Sequence, residues 1–321
     1  MPVTAPEHPG SAATANDHVQ VPIHGYAFAG GSALASAITT VLGKWNLRVI
    51  NPLLLNCLIF TTATAIMTFM VFCTRHRTRV VRHSRAGWLW LGFFSLSSVF
   101  ALWFFWAGVQ QMDPSLASFL NRTQVLLVIL FGVVFLRERF TRGEALGGTV
   151  SIAGIIVMRV SLRMEYSLGF WYVLIGAILF ALAELFSKLS VRFIAPVIVT
   201  YLRALFVAVV FWIALLGTGA DFRGLKQVWP GVIALGFMGP VVARLSYLFA
   251  LKHLDLSKVA VISQIQPVFV LLLAAVAMGQ LPTFREATGG VLLVTGCVVM
   301  VVARYRLRRS ARSAEAKTHG G

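Results

Sequence analysis

The stretch DPSLASFLNRTQVLLVILFGVVFLRERFTRGEALGGTVSIAGIIVM (residues 113–158) returns 142 positions later, without a gap, as DLSKVAVISQIQPVFVLLLAAVAMGQLPTFREATGGVLLVTGCVVM (255–300). Fourteen of the 46 aligned positions are identical. Asp113/Asp255, Ser115/Ser257, Gln124/Gln266, Thr141/Thr283 and Glu144/Glu286 match. So do Gly147/Gly289, Gly148/Gly290, Gly154/Gly296 and Met158/Met300. Many of these are polar or glycine, which a shared apolar bias does not produce. The chain therefore reads as two copies of one unit.

Around this pair, the 321-residue chain is 58% hydrophobic and 12% charged, with a mean hydropathy of +0.81. Soluble domains carry about 25% charged residues. The charge here is too sparse to cover a water-exposed surface, and apolar runs recur along the length, so the reading is a polytopic membrane protein. Ten spans are expected: 25–43, 51–73, 87–109, 115–136, 143–160, 168–189, 195–217, 229–250, 257–279 and 285–303. Ten spans in two copies give five each. An odd number of crossings makes the second copy enter from the opposite face. The predicted fold is thus all-α, with two inverted five-helix repeats over 25–160 (helices 1–5) and 168–303 (helices 6–10). Such an arrangement places a solute site near the bilayer midplane, between the halves. Residues 1–22, rich in Pro, Ala and Ser, read as a disordered tail. Residues 304–321 (RYRLRRSARSAEAKTHGG) read as a basic cytoplasmic tail.

The formal charge of +17 sits mostly in the connections. With the N-terminus in the cytoplasm, 18 Lys and Arg fall on the cytoplasmic side and seven on the other. That asymmetry predicts both termini inside and assigns the excess to orientation in the bilayer, not to nucleic acid. An Ala/Val/Arg-rich chain without a presequence points to a bacterial inner (plasma) membrane. Cys57, Cys73 and Cys297 are scattered, with no disulfide or metal-binding spacing. No cofactor is expected. There is no nucleophile–base set and no GxxxxGK[ST] phosphate loop, which argues against an enzyme and against an ATP-driven pump.

FLRERFTRGEALGGTVSIAG (135–154) and MGQLPTFREATGGVLLVTG (278–296), each at the junction of a small-residue-rich helix and a Gly-rich one, resemble the EamA-type members of the drug/metabolite transporter superfamily. The resemblance extends over about residues 85–301. It implies two five-helix repeats and transport of small solutes, and it does not specify the solute. Two departures stand out. Pro267 has Val125 as its partner position, so helix 4 is expected to lack the kink of helix 9. Glu138 has Gln280 as its partner.

Thr141 and Glu144 have capping-box spacing at the start of helix 5. Asp113 precedes Pro114 and is expected to cap helix 4. Gly147, Ser151 and Gly154 share a face of helix 5, as Gly289, Leu293 and Gly296 do on helix 10, which suits close helix packing in lipid. Charges inside spans are costly and mark candidate sites. Arg122 lies in the polar cluster NRTQ with Asn121 and Gln124. Its repeat counterpart SQIQ holds Gln264 and Gln266. These residues, with the aromatics Trp106 and Tyr247, are the expected substrate contacts. Glu184 (paired i,i+4 with Lys188), Arg203 and Arg244 are the expected coupling or gating group. The reading is a secondary-active transporter, an exporter of small organic metabolites such as amino acids, organic anions or drug-like compounds, working by alternating access. The cation excess favours a carboxylate or phosphate. The rival is a lipid-handling protein, such as a flippase subunit for an anionic carrier lipid, with the arginines on head groups. Partners expected are a small-molecule substrate and membrane lipid. Assembly as a homodimer stays open.

Overall fold

The computed structural model describes residues 23–73, 85–136, 141–161, 167–190, 193–219, 222, 224–253, 259, 262–279 and 281–318. The described residues are helical, with turns between and no strand. The helices are α1 (Ile23–Asn46), α2 (Pro52–Cys73), α3 (Arg85–Gln111), α4 (Pro114–Asn121), α5 (Thr123–Leu136), α6 (Arg142–Ser161) and α7 (Ser167–Ser190). They continue as α8 (Pro196–Gly217), α9 (Leu225–Gly236), a π-helical stretch (Phe237–Ala243), α10 (Arg244–His253), α11 (Gln266–Met278) and α12 (Phe284–Thr318). Among the described residues, six helical stretches are long and apolar enough to cross a bilayer: His24–Asn46, Pro52–Val71, Arg85–Gln111, Leu168–Ser187, Val197–Gly217 and Leu225–Tyr247. Gln266–Met278 and Ala287–Ala303 are shorter apolar helices. Val276 is 89% exposed and Phe284 87%, among many large apolar side chains on the outer surface. A surface of this kind is stable in lipid and not in water. The tail expected after residue 303 continues the last helix to Thr318. The expected N-terminal tail lies outside the described residues, as do Glu138 and Asp255, and so do the side chains of Lys188 and Glu286.

Packing follows the small residues. α3 runs along α7 and α6 along α12. At Gly108 an added Cβ would meet the Val173 N at 2.9 Å, and at Gly176 the Phe105 N at 3.1 Å. Close backbone approach replaces the hydrophobic drive that lipid does not supply. α2 joins α8 through polar bonds: Trp212 Nε1 donates to Thr61 Oγ1 at 2.8 Å, and the Thr68 and Tyr201 hydroxyls meet at 3.3 Å.

The capping box forms. Glu144 Oε2 accepts from the Thr141 N–H at 2.8 Å and from its hydroxyl at 3.0 Å, and the Glu144 N–H donates to Thr141 Oγ1 at 3.2 Å. Glu144 is fully buried, so loss of a donor is felt. Thr141→Val is expected to cost about 1–2 kcal/mol, read as a lowered unfolding temperature in detergent. No change would show that the box adds nothing.

Asp113 corrects an expectation. It occupies the N-cap position with extended backbone (ψ 137°) and Pro114 follows, but its side chain makes no capping bond. The Asp113 charge acts instead on Lys44. Lys44 Nζ in turn donates to the last carbonyls of α3, Val109 O at 2.9 Å and Gln110 O at 2.7 Å.

Helix 4 is a second correction. It breaks at Arg122 despite the absence of proline. The Arg122 N–H donates to Phe119 O at 3.0 Å and the Val125 N–H to Arg122 O at 2.9 Å, both tightened i to i−3 bonds. Helix 9 breaks at Gln264 and Ile265, before Pro267. Arg122 and Gln264 are equivalent under the 142-residue shift, so the two interruptions share one register. Backbone freed within a membrane must find partners inside the protein. The Cys297 thiol on α12 meets Arg122 O at 3.5 Å.

Candidate functional site

A cavity of about 310 Å³ opens beside these breaks. α1 contributes a polar face, Ser32, Ser36, Thr39 and Thr40. The Thr39 and Thr40 hydroxyls donate back to the carbonyls four residues earlier, leaving their lone pairs for other donors. Aromatic wall comes from Phe60 of α2, Phe105 and Trp106 of α3 and Phe180 of α7. Asn121 and Arg122 enter at the first break and Gln266 just past the second. Arg203 of α8 and Gly239, Pro240, Ala243, Arg244 and Tyr247 complete it.

The π-helical turn brings the last group into place. Pro240 lacks the N–H that would serve a regular turn, and the helix widens around it. Ser32 Oγ donates to Ala243 O at 2.8 Å, fixing the turn against α1. Arg244 then begins α10 at the cavity wall, its guanidinium 5.7 Å from the Tyr247 ring centroid.

Each arginine is held differently. Arg122 donates Nη2 to Gln266 Oε1 at 2.8 Å and Nη1 to Ser263 O at 3.3 Å. Ser263 and Gln266 are the repeat equivalents of Asn121 and Gln124, so Arg122 of one copy grips the break of the other. Arg203 donates Nε to Ser98 Oγ at 3.0 Å, with its guanidinium near the Phe60 ring (5.7 Å) and the Phe94 ring (5.2 Å). Arg244 and Glu184 both act electrostatically on Arg203. The wall thus gathers three guanidinium groups and, among the described residues, no carboxylate.

Of the residues singled out from sequence, Asn121, Arg122, Gln266, Trp106, Tyr247, Arg203 and Arg244 meet at this one cavity. Gln124, Gln264 and Glu184 are not on its wall. Gln264 is buried in the turn at 3% exposure, and Glu184 lies one helical turn beyond Phe180 on α7. The hydroxyl face of α1 and the phenylalanines were not anticipated. Ser32, Ser36, Thr39 and Thr40 recur at helical spacing in an apolar span, and that periodicity was the available signal.

Apolar helices outside and a polar cavity beside broken helices within define the class: a helical membrane transporter. The model of the EamA-like transporter family matches residues 23–160 and again 167–302, and the chain belongs to that family. It is 24% identical over 276 residues to an uncharacterised transporter of Archaeoglobus fulgidus, covering 82% of this chain and 92% of that one. It is 26% identical over 217 residues to a probable terminal-alkyne amino-acid exporter of Streptantibioticus cattleyicolor, covering 66% of this chain and 71% of that one. A solved crystal structure shares the fold, with a TM-score of 0.64 at 21% identity, over 88% of this chain and 98% of that one.

Proposed function

We propose that this transporter is a secondary-active exporter of small organic anions, amino acids and related carboxylates among them, and that it works by alternating access. Ten spans would form two inverted repeats in a bacterial inner membrane, with both termini cytoplasmic. The helix pairing supports the inversion. α3 of the first half lies along α7 of the second, and reciprocally α10 of the second lies along α1 of the first; α6 and α12, the fifth span of each half, lie together. The observation that carries the substrate reading is the part of the cavity wall that holds Arg203 and Arg244, with no described carboxylate on that wall. Glu184, off the wall, opposes only part of this charge; cations inside a bilayer are costly, and an anionic solute offsets that cost. The exporter named in Streptantibioticus cattleyicolor lends the direction and the amino-acid class.

A thermal-shift screen of the purified full-length protein tests the reading. Carboxylates are expected to raise the unfolding temperature progressively with concentration, by about 2.7 kcal/mol of added stability at a hundred times Kd. Amphiphilic cations are expected to do nothing. Stabilisation by cations alone would overturn it. Stabilisation by an anionic lipid alone would put the arginines on head groups and make lipid handling the function.

A further inference from the structure

The three arginines are not equivalent. We infer that Arg203 and Arg244 together bind a single anionic group of the substrate, and that Arg122 is a positioning residue that fastens the two helix breaks to one another. This rests on the reading that the cavity carries an organic anion.

The geometry separates the roles. Both terminal nitrogens of Arg122 already have protein acceptors, Gln266 Oε1 at 2.8 Å and Ser263 O at 3.3 Å. Its carbonyl is met by Cys297, so side chain and backbone both tie helix segments that are broken in the same register. A ligand that took the guanidinium would have to displace a carbonyl freed by a helix break, which lipid cannot satisfy. Arg203 is preoriented, by Ser98 at Nε and by the rings of Phe60 and Phe94. Arg244 lies over the Tyr247 ring, and its Nε, like that of Arg122, is buried without a hydrogen-bond partner. Arg203 and Arg244 also feel each other's charge, a repulsion that Glu184 offsets in part and that an anion between them would lower further. Planar guanidinium groups suit a carboxylate or phosphate held by paired donors.

The same division limits the ligand. With Arg122 engaged, the wall offers one cationic pole. Phe105, Trp106 and Phe180 give part of the rest an aromatic surface, and the α1 hydroxyls give it uncharged polar groups. The favoured solute has one anionic group on an apolar or aromatic body. A dicarboxylate would place its second charge where the wall, among the described residues, offers only rings and uncharged polar groups, with no free cation to meet it.

Binding of radiolabelled benzoate to the purified full-length protein tests this, with benzamide as the neutral isostere and succinate as the dicarboxylate, each as competitor. Benzoate is expected to bind saturably, and unlabelled benzoate to compete at least tenfold better than benzamide or succinate. Arg244→Gln is expected to weaken benzoate binding about tenfold or more, and Arg203→Gln likewise. Arg203→Gln also removes the Ser98 bond, so Arg244→Gln decides if that variant misfolds. Arg122→Gln is expected to keep benzoate binding within about threefold while lowering the transport rate in proteoliposomes, with partial recovery in Arg122→Lys. Loss of binding in Arg122→Gln but not in Arg244→Gln would overturn the assignment and leave the anion reading intact. So would tighter binding of succinate. If wild type binds no carboxylate, both the assignment and the anion reading fall.

Discussion

Gly154→Leu is expected to leave no monodisperse protein in size-exclusion chromatography, whereas Gly148→Ala behaves like wild type. Both glycines lie on α6, six residues apart, and only one faces α12 at backbone contact. A Cβ at Gly154 would stand 2.5 Å from the Leu293 N and 2.6 Å from the Gly289 O. These are backbone atoms of a neighbouring helix and cannot rotate away. Gly148 has only the end of the Met300 side chain nearby, at 3.8 Å. The seam repeats the constraint about two turns earlier, where a Cβ at Gly147 would meet the Gly296 O at 2.6 Å. Between them the Ser151 hydroxyl donates to Leu293 O at 3.2 Å. Ordinary overpacking costs about 1–3 kcal/mol. A leucine here costs more, because relief requires the helices to part along the seam and give up its contacts. The consequence reaches the site. α12 also carries Cys297 to the carbonyl of Arg122, so parting the seam removes a partner from the helix break. Normal elution and stability of Gly154→Leu would show that α6 and α12 do not pack this closely.

How far the sequence could be read depended on whether a feature is local. The capping box at Thr141 and Glu144 and the glycine face of α6 are spacings within one helix, and both appear as read. The arginines within spans were visible as charges where charge is expensive. Their convergence was not, because Arg122, Arg203 and Arg244 lie on three separate spans and meet only through packing. Arg122 was read as a substrate contact together with Asn121 and Gln124 of the same helix. In the structure its two terminal nitrogens donate to Ser263 and Gln266, more than 140 residues away. The break at Arg122 was hidden for a related reason. Proline is the usual sequence mark of an interrupted helix, and Val125 stands where the other copy has Pro267. This break is instead supported from outside, by Cys297 and by the grip on the second copy. Hydropathy shows where a helix crosses, and it carries no record of whether its hydrogen-bond ladder is complete. The Asp113 side chain shows the converse. Its position fits a cap, yet nothing in the local pattern reports that Lys44, from α1, competes for its charge.

Gly43→Val is expected to abolish solute binding while the protein still folds. Gly43 lies on α1 against the six-membered ring of Trp106, and a Cβ there would overlap the Cζ3 and Cη2 atoms. Unlike the Gly154 seam, the obstacle is the far end of a side chain, so the indole moves and the helices stay. Trp106 is only 4% exposed, and Phe105 meets it edge-on at 5.3 Å, so little room remains on the protein side. The open direction is the cavity, whose wall Trp106 already forms. An indole swung into about 310 Å³ removes the space for a ring-bearing solute. The expected readings are at least a tenfold loss of benzoate binding and a shift of tryptophan emission to longer wavelength as the ring enters polar surroundings. A second change separates blockage from damage. Trp106→Leu in the Gly43→Val background returns the volume and is expected to restore part of the binding, a coupling that two independent lesions would not show. If Gly43→Val binds benzoate like wild type, the cavity beside Trp106 is not where the solute sits.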